Sequence, residues 1–228
     1  ALPEARLLRV DRDSMARKDA WAQALAKIDS HEVDVLVGTQ MLAKGHDFQR
    51  LTLVALLDVD QALFSPDFRA AERLFALIVQ VAGRAGRASL PGEVLIQTMV
   101  PNHPLFAAAL THDYAAFART ELAAREAAGF PPFLHQALLR AEALAPRALQ
   151  NFMQRAVQHA RALKPKVTVY EPLAPSIERV AGKSRLQLLV QSRSRQQLQD
   201  FLGQWNEQLE SFNERRVRWA IDVDPLEL

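Results

Sequence analysis

The sequence predicts an α/β chain in two parts, a mostly parallel sheet with helices followed by a small α+β domain, and three observations carry that prediction. Through the first half, short β-branched or leucine-rich runs alternate with amphipathic helical stretches, the pattern of a parallel sheet with crossover helices. The sequence Gly129-Phe130-Pro131-Pro132 then breaks the chain, because proline cannot continue a helix and glycine commonly ends one. Beyond it, apolar periodicities of two and of 3.6 follow one another in the order strand, helix, strand, strand, helix, strand. The boundary is expected at that break, with residues 1–132 in the first domain and 133–228 in the second.

Residues 6–10 (RLLRV) and 33–37 (VDVLV) read as short buried strands, as do residues 51–57 and 93–97. Between the first two, Trp21, Leu25 and Ile28 fall on one helical face, with Asp13-Ser14 as the expected cap. Ser65-Pro66-Asp67 is a second helix start, a cap followed by proline at the first helical position. It would open a helix with Phe68, Ala71, Leu74, Phe75 and Ile78 on its apolar face. Helical stretches near residues 105–110 and 114–128 lead to the break. In the second domain, residues 136–142, 167–170, 186–190 and 217–223 read as strands. Two amphipathic helices separate them, one placing Leu149, Phe152, Met153, Ala156 and Ala160 on one face, the other Leu198, Phe201, Leu202, Trp205 and Leu209. That βαββαβ order predicts a ferredoxin-like split βαβ domain. Core packing, rather than base stacking, is expected of Phe201 and Trp205.

Composition narrows the function classes. Of 228 residues, 49% are hydrophobic and 24% charged, an ordinary balance for a globular protein, and no apolar run approaches the length of a membrane span. The charged start ALPEARLLRVDRD does not read as a signal peptide, so a cytoplasmic protein without membrane partners is expected. The chain has no cysteine, which excludes disulfides and thiolate metal sites. The six histidines are scattered without the i, i+4 spacing of a zinc-binding helix, so no metal site is expected. The net charge of +2 neither demands nor excludes nucleic acid, and the distribution is more informative. Basic residues cluster at Lys164 and Lys166, from Arg179 to Arg195, and at Arg215, Arg216 and Arg218.

Two segments stand out chemically. In Gln80-Val81-Ala82-Gly83-Arg84-Ala85-Gly86-Arg87, two arginines three apart at a helix end can point the same way. Their guanidinium forks stay charged and fit phosphate oxygens, so Arg84 and Arg87 can stabilise charge on a transferring phosphoryl group. Arginines that merely face a helix dipole are the plainer alternative. In Val37-Gly38-Thr39-Gln40-Met41-Leu42-Ala43-Lys44-Gly45-His46-Asp47-Phe48, a strand runs into a polar loop. There Thr39 offers a hydroxyl and amides to a phosphodiester, Gly45 permits a tight turn, and Asp47 can accept from ribose or arginine.

In this order and on this scaffold the two segments resemble motifs V and VI of superfamily 2 helicases, which lie on the second RecA-like lobe. GTQMLAKGHDF, LVALLDVDQALFSPDFRAAER, QVAGRAGR, PGEVLIQT and the closing WAIDVDPLEL narrow the resemblance to the PriA-type replication-restart helicases across essentially the whole chain. A different superfamily 2 remodeller fits GRAGR but neither KGHDF nor the ending. The resemblance implies an ATP-dependent 3′-to-5′ DNA helicase that recognises stalled or branched forks and initiates primosome assembly. It implies that Thr39 contacts the DNA backbone, and that Gly45 and Asp47 lie at the cleft between lobes, where nucleotide binds. Gln80, Arg84 and Arg87 would face ATP, with Arg84 and Arg87 on the γ-phosphate. Lys44, His46, Asp58 and Asp60 belong to matching segments without individual roles; the two aspartates would serve as strand-end carboxylates that fix Arg69 or Arg73.

No stretch matches G-x-x-x-x-G-K-[ST], the loop whose amides cradle ATP phosphates, and there is no acidic box for magnesium. The family carries both in the preceding lobe, which would bind most of the ATP and Mg, and its zinc-binding cysteines also lie outside this region. The chain alone is therefore expected to be inactive as an ATPase, with an exposed apolar patch where a neighbouring lobe would pack. The C-terminal domain would contact branched and single-stranded DNA, single-stranded-DNA-binding protein and other primosome proteins. Arg179, Lys183, Arg185, Arg193 and Arg195 make a candidate phosphate-binding strip, against the plainer reading of a basic rim. The alternative to an enzyme part is a non-enzymatic DNA- and partner-binding module.

Overall fold

The computed structural model describes residues 4–11, 19–38, 48, 50–86, 91–163 and 166–226. The chain is a mixture of helix and strand that clusters into two units. One comprises residues 1–65 and 69–117, the other residues 66–68 and 118–228.

In the first unit, β1 (Leu7–Val10) pairs in parallel with β2 (Val35–Gly38), joined through α1 (Ala20–Asp29). The pair is clamped at its start by Arg6, whose Nε and Nη2 donate to Asp34 at 2.8 and 2.7 Å while its backbone N–H donates to the same carboxylate at 2.9 Å. That fork holds the Asp34 carboxyl well below the usual carboxylate range. Trp21, Leu25 and Ile28 are half-buried on α1, and Ala24 is its buried residue; Asp13-Ser14 lies outside the described residues. A second parallel pair joins β3 (Leu53–Leu56) to β4 (Glu93–Ile96) through α2 (Val59–Leu63) and α3 (Ala70–Ala82). The parallel pairing expected of the first half is present, as two two-stranded ladders among the described residues.

Helix α3 begins later than Ser65-Pro66-Asp67 suggests, with Arg69 as its first cap position and no side-chain cap bond. The reason is Phe68, which stacks on Phe130 at 5.6 Å with the Arg125 guanidinium 5.3 Å above its ring. Burying that aromatic outweighs the local preference for proline at a helix start. The short α2 carries no length signal of its own and follows Asp58, a non-glycine residue at φ 54°. Leu74, Phe75 and Ile78 of α3 pack with Val59, Leu63 and residues of α4 (Pro104–Leu110) and α5 (Tyr114–Ala128). Phe75 and Phe117 stack at 4.3 Å. On the sheet side, Leu56 and Ile96 join this core, while Leu53 and Leu95 on the opposite face stay about half exposed.

The second unit is a five-stranded antiparallel sheet. Its elements follow in the order β5 (His135–Ala143), α6 (Pro146–Ala162), β6 (Thr168–Val169), β7 (Arg179–Val180), β8 (Lys183–Ser192), α7 (Arg195–Ser211) and β9 (Arg218–Val223). Across the sheet the order is β6-β8-β5-β9, with β7 turned back on β8. The β7–β8 hairpin turns at Ala181 and Gly182, both at positive φ (50° and 79°), the primed turn that matches strand twist. Ser194 caps α7 by accepting from the Gln197 N–H. Alternation along β5 sends Ala137, Leu139, Ala141 and Ala143 into the core against α6 and α7. Trp205 is that core's largest fully buried side chain, with its Nε1 donating to the Ala156 carbonyl at 3.0 Å.

Candidate functional site

Arg84 sits immediately after α3, whose C-cap is Gly83. Its backbone N–H donates to Val81 O at 3.0 Å, continuing the last turn. Gly86 then ties the segment to the entry of β3, its N–H donating to Leu51 O at 3.0 Å. Two glycines are required here. Gly86 takes φ 76°, which side chains with a Cβ rarely adopt. A Cβ on Gly92 would meet Gly86 N at 2.2 Å, so the arginine-bearing turn lies directly on the chain entering β4. Gln80, one helical turn earlier, is exposed, and Arg84 is half-buried. These two predicted residues thus lie at one end of α3, Gln80 in its last helical turn and Arg84 on a following turn held by backbone bonds. Thr39, Lys44, Gly45, His46, Asp47 and Arg87 lie outside the described residues. Ahead of Thr39 the described chain stops at Gly38, the last residue of β2.

Asp60, the first acidic residue of α2, reaches the exit of β4. Its carboxylate accepts from Thr98 Oγ1 at 2.5 Å and from the Met99 N–H at 2.7 Å. These bonds, the Thr98 hydroxyl foremost, hold its pKa below the ordinary aspartate value. Asp60 therefore fastens Thr98 and Met99, in place of the arginine partner expected from sequence. A group with a depressed folded-state pKa stabilises the fold above its unfolded pKa, about 3.9, and that stabilisation is lost as pH falls through the folded value. Asp60→Asn is expected to lower the melting temperature at pH 7, by an amount that shrinks as pH drops below the usual aspartate range. Thermal melts of the two proteins across pH check this, and a constant difference at every pH would contradict it.

In the second unit the predicted basic strip divides. Arg179 on β7 pairs with Ser184 across the hairpin, beside Lys183 and Arg185 at the start of β8. Arg193 and Arg195 are exposed beyond the other end of β8, and the eight steps of extended chain from Arg185 to Arg193 span about 26 Å. Lys183 Nζ donates to Glu142 Oε1 at 2.8 Å. That bond, with Arg218 and Arg185 nearby, holds Glu142 below the usual carboxylate range. Arg140 lies two residues before Glu142 on β5, its Nε and Nη2 both 3.3 Å from Asp222. Arg140 belongs to no basic cluster in the sequence, and Arg218 stands there beside Arg215 and Arg216. The signal that finds them is strand alternation together with register, which only the pairing reveals. Among the described residues, no group of three or more histidine, cysteine, aspartate or glutamate side chains is placed to hold a metal ion, and no helix is long and apolar enough to cross a membrane.

Residues 7–89 match the helicase conserved C-terminal domain, which makes the first unit an α/β domain of helicase class. Residues 126–226 match the primosomal protein N C-terminal domain. Over 227 residues the chain is 43% identical to the replication restart protein PriA of Haemophilus influenzae, covering 99% of this chain and 31% of that protein. It is 36% identical over 231 residues to its namesake in Bacillus subtilis, covering 98% of this chain and 28% of the relative. The figures for Synechocystis are 39% over 227 residues, with 99% and 27% covered. The chain belongs to the PriA family of replication restart proteins and matches their C-terminal portion. It spans less than a third of the length of these three relatives.

Proposed function

We propose that this chain is part of an ATP-dependent 3′-to-5′ DNA helicase that recognises stalled or branched replication forks and starts primosome assembly in the cytoplasm. The observation that carries the reading is identity along nearly the whole chain to proteins named for replication restart. Residues 1–132 form the second RecA-like lobe with trailing helices, and residues 133–228 a ferredoxin-like DNA- and partner-binding domain. The strand order β6-β8-β5-β9 supports the ferredoxin-like assignment, since, with the two-residue β7 set aside, it places the first and third strands of a split βαβ unit at the centre. Thr39 contacts the DNA backbone, while Gly45, Asp47 and Gln80 serve the nucleotide, and Arg84 and Arg87 reach its γ-phosphate. Arg179, Lys183, Arg185, Arg193 and Arg195 contact DNA phosphates. ATP and magnesium are held mainly by the lobe that carries the phosphate-cradling loop, because no such loop occurs in this chain; the family's zinc is likewise held elsewhere. Single-stranded-DNA-binding protein and primosome proteins are the partners.

A longer protein with both lobes is expected to hydrolyse ATP in a DNA-dependent manner, and the 228-residue chain alone to release no phosphate above background. Turnover by the chain alone at about one per second or faster, an ordinary enzymatic rate, would overturn this division of labour.

A further inference from the structure

The sheet of the second unit has one face covered by α6 and α7 and another that is open at one end. Register places Glu142 directly opposite Arg185 on β8 and Arg218 on β9. All three project from the face opposite the helices, since their neighbours Ala141, Leu186 and Trp219 belong to the helix-covered core. One rung along, Arg140 faces the same side between Gln187 and Ala220. These residues line a shallow cavity of about 240 Å³. At the far end of the same face Gln136 and Leu138 are buried.

Charge on this patch does not balance. Lys183 occupies Glu142, and Arg140 occupies Asp222. Arg185 is steadied by the Ile177 carbonyl, to which Nη1 donates at 3.3 Å, and has no carboxylate within ion-pair distance among the described residues. The same holds for Arg218, which is exposed. Two strand spacings put these arginines about 10 Å apart at Cβ, one on each side of Glu142. A small anion would use one of them. An extended polyanion passing over the strands uses both, and guanidinium forks fit phosphate oxygens bidentately.

We propose that the open end of this sheet face binds the phosphodiester backbone of DNA, independently of sequence, through Arg185 and Arg218 with Arg140 alongside. The inference rests on the reading of the C-terminal unit as a DNA-contacting module and fixes where that contact is made. Glu142 tempers it, since its carboxylate repels the same phosphates that the flanking arginines attract.

The test is fluorescence anisotropy of a labelled forked oligonucleotide with the whole 228-residue chain, titrated across a salt series. Arg185→Gln/Arg218→Gln is expected to weaken binding about tenfold or more at low salt. It should also flatten the log–log salt slope by about 1.8, the change expected when two duplex phosphates are no longer neutralised by the protein. Glu142→Gln is expected to bind severalfold tighter, an outcome that misfolding does not produce. Affinities unchanged in both variants while Arg193→Ala/Arg195→Ala abolishes binding would overturn the sheet-face site and leave the DNA-binding reading standing. A parent chain that fails to bind even at low salt would overturn that reading itself. Polyglutamate binding more tightly than the oligonucleotide at equal charge would make the patch a surface for acidic peptides and refute a DNA site.

Discussion

Trp205→Ala is expected to destabilise the C-terminal unit by about 3–5 kcal/mol, the range for emptying a large aromatic position in a core. Trp205 is completely buried between α6 and the sheet, stacked on Phe201 at 5.3 Å, and its Nε1 donates to Ala156 O at 3.0 Å. Alanine therefore removes packing and also the indole hydrogen bond to that helix carbonyl. Domain stabilities lie at about 5–15 kcal/mol, so a large fraction of folded-state stability is lost. Urea unfolding followed by far-UV circular dichroism should show the midpoint moving down by about 1–3 M, given ordinary denaturant slopes. Trp205→Phe separates the two contributions. It keeps most of the buried area and loses the N–H bond, for an expected cost of about 0.5–1.5 kcal/mol from that bond. An unchanged midpoint for the alanine variant would refute the placement of this ring at the centre of the core.

The same residue shows what was legible in sequence. Leu198, Phe201, Leu202, Trp205 and Leu209 recur at helical spacing, and the structure buries all five. Local periodicity determines such faces directly. Residues 136–142 likewise read as a strand because β5 carries an alternating core face. Features that depend on distant residues were hidden. Asp60 is fastened to Thr98, 38 positions away, and nothing near either residue announces the pairing. Phe68 has the spacing of the α3 face, yet its ring is held by Phe130 and Arg125, and that contact delays the helix. Strand β7 has two residues, and its turn opens with Ala181 at positive φ, where composition would favour asparagine or glycine. Arg140, Arg185 and Arg218 look unrelated along the chain and become neighbours only through antiparallel register. Conversely, Arg185 and Arg193 look like one cluster and stand at opposite ends of a ten-residue strand.

On the proposed function, Arg84→Ala introduced into a protein that carries both lobes is expected to lower DNA-dependent kcat for ATP hydrolysis by about 10³-fold or more. An arginine on a transferring γ-phosphoryl group contributes about 10³–10⁵ in rate, or about 4–7 kcal/mol of barrier at 1.36 kcal/mol per decade. The local structure suits that role. Arg84 leaves α3 through Gly83, its own N–H is bonded to Val81 O, and the next turn is pinned by Gly86 to Leu51 O and seated on Gly92. The guanidinium is thus carried by a short, backbone-fixed turn instead of a long loop, so an arginine finger here would lose little entropy on meeting a phosphate. An interaction made mainly in the transition state lowers kcat with little change in KM for ATP, and DNA affinity should be unaffected. Arg84→Lys keeps the charge but not the fork, so only partial activity is expected. Gly86→Ala tests the turn separately: it leaves the guanidinium in place but strains the φ of 76° that positions it, and kcat should fall while the protein stays folded by circular dichroism. If Arg84→Ala turned over ATP at the parental rate, the arginine would be a helix-end residue without a part in the chemistry, and the arginine-finger role assigned to this turn would be wrong.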